Sequence, residues 1–474
     1  MKKIVNKNFR KYVLTLFLAM CGTIIPVFSQ IRYTAAVLDE ATYGISNMSP
    51  CAIRHWRGTF SVAAANLGGG SVAFCLIDHT DFDNTFATPP SLPTIYGTSV
   101  HFSDPINYPN LVINDLFIVD NYAFFCGGIS SGEAVYGYFD INSIYTISIQ
   151  LYLYKLTPTP PNYPVSLQKL VAYDNGGMYD VVSFGHEGSD DFSTASVIVE
   201  IHDATSPNPN TEIVTMPCTP YAPYIANIFY NDIILTNSFV VLLGHELNTV
   251  APISGISYPV FSIGQRGTVV NDILSNGSFY LNNPGESNYK VAGVALPNDQ
   301  FAMSYVNDHG GGNYYTRLRV IDIPTMTNPY SQEFKKREKE YPVEMIYLSA
   351  LESVEILQPV TDASNFIQMF PFLVSPYSTE ILTPNDDEFK SLTAIDDHRF
   401  ISARNTTIFF EDRTATVPHS SPSCPGNTPL KVTIINDLPP TNIPWGSYDN
   451  GILSQDAKTP GYFSINFKGC YSYE

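Results

Sequence analysis

A chain of 474 residues has room for two or three ordinary domains or for one large repeat domain. It is 44% hydrophobic and 13% aromatic with only 15% charged residues, which excludes disorder, and its wealth of Tyr, Thr, Ser and Val argues against a helical protein. The formal net charge of −19 repels phosphate backbones and anionic lipid, so nucleic acid and membrane surfaces are poor partners.

Residues 1–29 read as a secretion signal. Lys2, Lys3, Lys7, Arg10 and Lys11 precede the apolar stretch Tyr12 to Met20, and Val27 and Ser29 suit the −3 and −1 positions of a cleavage site before Gln30. Gly22, Thr23 and Pro26 make the stretch short for a membrane span, and none is expected in the mature chain. Lipidation at Cys21, after Leu18-Ala19-Met20, is the alternative. Cleavage leaves 20 Lys and Arg against 44 Asp and Glu, a net charge of about −24. The expectation is an exported protein of periplasm, outer surface or medium. Six cysteines remain (Cys51, Cys75, Cys126, Cys218, Cys424 and Cys470), an even number that permits disulfides in such a setting.

From residue 50 onward one pattern recurs. Its clearest copy is Asp115–Ile141: an apolar run, the polar pair Asp120-Asn121, an aromatic run ending in Cys126-Gly127, a Gly/Ser loop, and a third apolar run ending in Asp140. The middle strand lines up seven times, ending at Cys75, Cys126, Gly185, Gly244 and Tyr305, near Val354, and at Ala403. The average step of about 55 residues is a little above propeller blade lengths. Polar two-residue turns between alternating apolar runs are hairpin signals. A fourth strand fits Tyr145–Tyr154, and Gln332–Glu340 is the one helix-like stretch, read as a solvated insertion.

This strand–turn–strand grammar, notably YAFFCGG at Tyr122–Gly128, resembles kelch-like and WD40-like β-propellers, and the signal with Tyr-rich blades resembles uncharacterised exported propellers of Gram-negative gut bacteria. The expected fold is all-β: a single propeller of seven four-stranded blades over residues 30–415. Residues 416–474 are expected to complete the first or last blade, with Cys424–Cys470 as the closing bridge, or else to form a separate small appendage. Cys75 and Cys126 occupy equivalent slots that point the same way round a ring, so they are not expected to pair.

The loops after the middle strands collect His79, then His186, Glu187 and Asp191, then His245 and Glu246, then Asp308 and His309. Ring closure would bring them to one mouth, a candidate ligand surface lined by imidazole and carboxylate. Asp78, Asp81 and Asp83 bunch hard oxygen ligands that suit calcium, though the run matches no EF-hand loop. No other cofactor is expected.

Catalytic motifs fail on context. Gly128-Ile129-Ser130-Ser131-Gly132 matches G-x-S-x-G but is followed by a strand pattern, and neither His-Glu pair belongs to H-E-x-x-H. The expected function is therefore a non-catalytic binding or scaffold protein that recognises an extracellular glycan or a protein partner through one face. Two alternatives stand: a glycoside hydrolase or lyase using rim carboxylates, and a subunit of an envelope complex.

Overall fold

The computed structural model of the chain describes residues 32–38, 48–80, 93–101, 107–145, 149–156, 164, 166–186, 196–215, 220–221, 224–248, 257–269, 273–278, 291–308, 314–336, 344–349, 353–358, 366–371, 377–382, 389–404, 406–412, 430–436, 446–449, 452–455 and 462–467. Strands dominate it, and the one helical element among the described residues is the short 3-10 turn Ile141–Tyr145. The strands form seven sheets. Their inner strands are Pro50–Arg57, Val112–Val119, Leu167–Asp174, Tyr224–Leu235, Val291–Leu296, Glu344–Leu348 and Phe389–Ala394. Each inner strand touches the next, and Phe389–Ala394 returns to Pro50–Arg57, so the ring is a closed β-propeller.

Period-2 alternation makes this ring hold together. In Tyr122–Ile129 of the second blade, Ala123 and Phe125 pack with Phe74, Leu76 and Phe139 in the seam shared with the first blade. Phe124 and Cys126 face the other way, against Leu170, Val181 and Val199 of the third blade. Seven buried clusters of this kind fill the seven seams. Each blade thus needs two apolar faces, which is why the strands read as nearly continuous apolar runs. Cys75 and Cys126 are free buried thiols in different seams, unpaired as expected, but not because their slots are equivalent: Cys75 lies on Ser71–Asp78, third in its blade, and Cys126 on Tyr122–Ile129, second in its blade. Cys218, Cys424 and Cys470 lie outside the described residues.

A second device recurs inside the blades. The inner strands bulge between Ile113 and Asp115, Leu167 and Lys169, and Tyr230 and Asp232. Opposite these bulges stand Gly127, Gly185 and Gly244, where a Cβ would overlap the carbonyl oxygen of Val112, Ser166 and Phe229 respectively. The small residue ending the middle strand therefore makes room for a displaced carbonyl on the inner strand.

Four expectations are corrected. Ser71–Asp78, aligned above as a middle strand, is the third strand of the first blade, whose second strand is Phe60–Gly68. Gln332–Lys336 belongs to the edge strand Thr327–Lys336, paired with Tyr314–Asp322. Tyr145 ends the 3-10 turn, and the fourth strand of its blade is the shorter Tyr152–Lys155. The strand completing the last blade comes from the start of the chain: Arg32–Val37 pairs along Thr407–Asp412. Leu430–Asn436 instead pairs with Tyr377–Leu382 at the edge of the sixth blade.

Candidate functional site

The strand order separates the predicted ligand residues. First-to-second-strand turns lie on one rim, which we call the turn rim, and second-to-third-strand loops lie on the opposite, loop rim. His186, His245, Glu246 and Asp308 lie toward the loop-rim ends of second strands, placed there by the pairs His186↔Ser196, Glu246↔Tyr258 and Asp308↔Tyr314. Glu187, Asp191 and His309 lie outside the described residues. His79 follows a third strand, and its amide donates to the Thr59 carbonyl in the first blade's turn. It therefore sits on the turn rim, so the expected single mouth does not include it.

Of the predicted ligand residues, the imidazoles of His245 and His79 are interior groups. His245 is buried, stacks on Phe229 at 5.3 Å and lies 3.1 Å from Asn231 Oδ1 through Nδ1. His79 is buried beside His55, ring centroids 5.7 Å apart, with Nε2 3.2 Å from the Ser61 hydroxyl. Burial, then His55 and Arg399, push the His79 pKa down to about 4, so it is neutral at neutral pH. The fully buried Ser61 has no route to a substrate, and this Ser–His contact packs the seam.

The acidic turns are largely committed to their own backbone. Asp78 accepts from the Thr80 amide and hydroxyl; Asp81 and Asp83 lie outside the described residues. Asp396, Asp397 and His398 bring possible ligand atoms within 4.8 Å of one another. Asp396, however, accepts from Arg399 Nε at 2.6 Å and from two backbone amides, and Asp397 contacts His398 Nδ1 at 2.6 Å.

At the centre of the ring, sequence reasoning missed a network of charges. Arg54 donates to Asp115 and to Glu344, each at 2.7 Å, and Lys169 donates to Asp232 at 2.8 Å. The remaining carboxylate oxygens accept from backbone amides of the following blade: Asp115 from Leu170, Asp232 from Gly293, Glu344 from Leu392. Burial opposes the charges of Arg54 and Lys169, but the carboxylates outweigh it and hold both above their ordinary values. Burial pushes the Asp115 carboxyl up, with Arg54 and Lys169 pulling the other way. Every carboxylate oxygen is engaged, so the network ties blades together and offers no vacant ligand position. Its sequence signal is a charge interrupting an apolar inner strand, as in AIRHW, NDLF and QKLV; the inner strand Val291–Leu296, VAGVAL, carries none.

The surface best suited to a ligand lies on the turn rim, at the seam of the first two blades. The 3-10 turn packs against the first blade there and carries Tyr145, 50% exposed, to Tyr96, 38% exposed; their rings meet at 62° with centroids 5.2 Å apart. Phe60 meets Tyr145 edge-on, and Trp56 lies behind Phe60. The Arg57 guanidinium lies 4.1 Å over the Trp56 ring, and Trp56 Nε1 donates to the Asp120 carbonyl. Arg57 reaches Asn121 Oδ1 at 3.3 Å and Asn142 Oδ1 at 3.4 Å. Aromatics packed edge to face, two exposed amides and a guanidinium can hold a flat-faced polar ligand; the named group contains no paired acid and base arranged for bond cleavage.

No family model matches the sequence, and no curated protein matches it. Solved structures similar to the chain include YCF48 from Cyanidioschyzon merolae, at 7% identity, covering 81% of this chain and 98% of that one, with a TM-score of 0.46. A chain of a mitotic checkpoint complex is 9% identical over 80% of this chain and 90% of its own, with a TM-score of 0.43. An α-L-arabinanase of Penicillium chrysogenum, complexed with arabinobiose, is 10% identical over 61% of this chain and 92% of its own, with a TM-score of 0.38. At these identities no activity is carried from them to this chain.

Proposed function

We propose that this protein is an exported, non-catalytic binding propeller that recognises an extracellular glycan through its turn rim. The observation that carries the reading is the exposed Tyr96–Tyr145 pair beside Arg57, Asn121 and Asn142, on a scaffold whose central charges Arg54, Asp115, Lys169, Asp232 and Glu344 are engaged with one another. The signal-like residues 1–29 support export, and the acidic balance disfavours anionic ligands. A rigid ring suits recognition, because ordering costs are met in folding rather than in binding.

The test is retention of mature protein, residues 30–474, on immobilised polysaccharides, with the soluble fraction assayed for new reducing ends and unsaturated sugars. Retention without product supports a binding propeller. Steady product release would make the protein a hydrolase or lyase. Absence of retention with a co-purifying envelope protein would replace the glycan with a protein partner.

A further inference from the structure

We infer that the corner formed by Tyr96 and Tyr145 is a subsite for one neutral saccharide ring, with Arg57, Asn121 and Asn142 as its hydrogen-bonding wall. This rests on the glycan-binding reading and deepens it.

The two tyrosines come from different blades and are brought together by the 3-10 turn Ile141–Tyr145, which is buried through Ile141 and Ile144 and leaves Tyr145 outward. Their rings meet edge to face and both side chains are exposed, so part of each apolar ring reaches solvent. The wall beside them is polar and planar. Arg57 sits over the Trp56 ring, and the long contacts from its nitrogens to the oxygens of Asn121 and Asn142 are readily exchanged for hydroxyls, while the Asn142 nitrogen donates to Asp140.

Charge selects among ligands. Asp78 acts on Tyr145, Trp56 donates to the Asp120 carbonyl and Asn142 donates to Asp140, so carboxylates near the patch disfavour an anion, while Arg57 inside it disfavours a cation. A polyhydroxylated neutral ring matches both halves, having apolar C–H faces for the tyrosines and equatorial donors and acceptors for the guanidinium and amides.

The experiment measures binding of cello-, xylo-, manno- and maltohexaose to mature protein, by Trp and Tyr fluorescence and by calorimetry. Variants are Tyr96→Ala, Tyr145→Ala, Tyr145→Phe and Asn142→Ala, with Met178→Ala as a control elsewhere on the same rim. The inference expects at least one hexaose to bind, about tenfold weakening in each tyrosine-to-alanine variant, and weakening of a few fold in Asn142→Ala. Tyr145→Phe and Met178→Ala should stay within about twofold, since the first keeps the ring and the second lies away from it. Melting midpoints should be unchanged across the set, because these side chains are exposed. Binding that survives both alanine variants overturns the subsite while leaving the glycan reading intact. No binding of any hexaose by the wild type overturns the subsite, and polysaccharide retention then decides the glycan reading separately.

Discussion

Replacing Arg54 with leucine should be the most damaging single change at the centre of the ring. The guanidinium bridges Asp115 on the second blade and Glu344 on the sixth, and it spans the seventh through Ser391. Removing it leaves two carboxylates facing each other in a buried setting, and breaking such a network costs about 3–5 kcal/mol. The Arg54 side chain retains 19% of its accessible surface, which favours the lower end, about 3 kcal/mol. With an unfolding entropy of roughly 2 cal/mol/K per residue, this corresponds to a fall of about 4 °C in Tm for a propeller of this size. Urea unfolding followed by fluorescence at pH 7, with calorimetry alongside, reads both numbers. The pH dependence supplies a second signature. Burial already raises the folded Asp115 pKa above its unfolded value, and loss of Arg54 raises it further. The folded state then binds the proton more tightly than the unfolded one, so the penalty should shrink as pH falls through the folded pKa. Adding Asp115→Asn and Glu344→Gln should recover most of the loss. An Arg54→Leu protein within about 1 kcal/mol of wild type at pH 7, with an unchanged pH profile, would falsify the view that this network ties the ring.

Three further outcomes are expected. Gly244→Ala, whose Cβ would overlap the Phe229 carbonyl across the bulge, should cost about 3 kcal/mol. Gly132→Ala, in an open turn at φ +80°, should cost only about 1 kcal/mol, and equal urea midpoints for the two variants would refute the bulge argument. The His79 pKa near 4 lies below its unfolded value of about 6.5, so the unfolded chain takes up the proton first. Stability should therefore fall by up to about 3 kcal/mol between pH 6.5 and 4, and His79→Gln should flatten that window; identical profiles would sink the assignment. Burial pushes the Cys75 thiol up to about 12 and the Cys126 thiol well above its usual range. Iodoacetamide at pH 8 should leave both untouched until urea is added, as read by peptide mass; native labelling would contradict the seam packing.

The repeat was legible in the residues alone because its cause is local. A blade strand must bury both faces, so YAFFCGG at Tyr122–Gly128 reads as an apolar run, and hairpin turns such as Asp120-Asn121 announce themselves by residue type. Alternation also determined which residues of one strand enter which seam, as Phe124 and Phe125 show. Four things needed the tertiary structure. The first blade was offset by one strand, because Phe60–Gly68 and Ser71–Asp78 are both apolar runs after Gly-containing turns, and only pairing tells which is second. His79 moved to the other rim with that offset. The last blade is completed by Arg32–Val37, a partner some 375 residues from Thr407–Asp412 that no local pattern could name. Arg54 finds Asp115 and Glu344, and Tyr96 finds Tyr145, only when separate blades meet. Backbone periodicity is written in neighbouring residues, whereas a site formed across seams depends on how the closed ring brings distant strands into register.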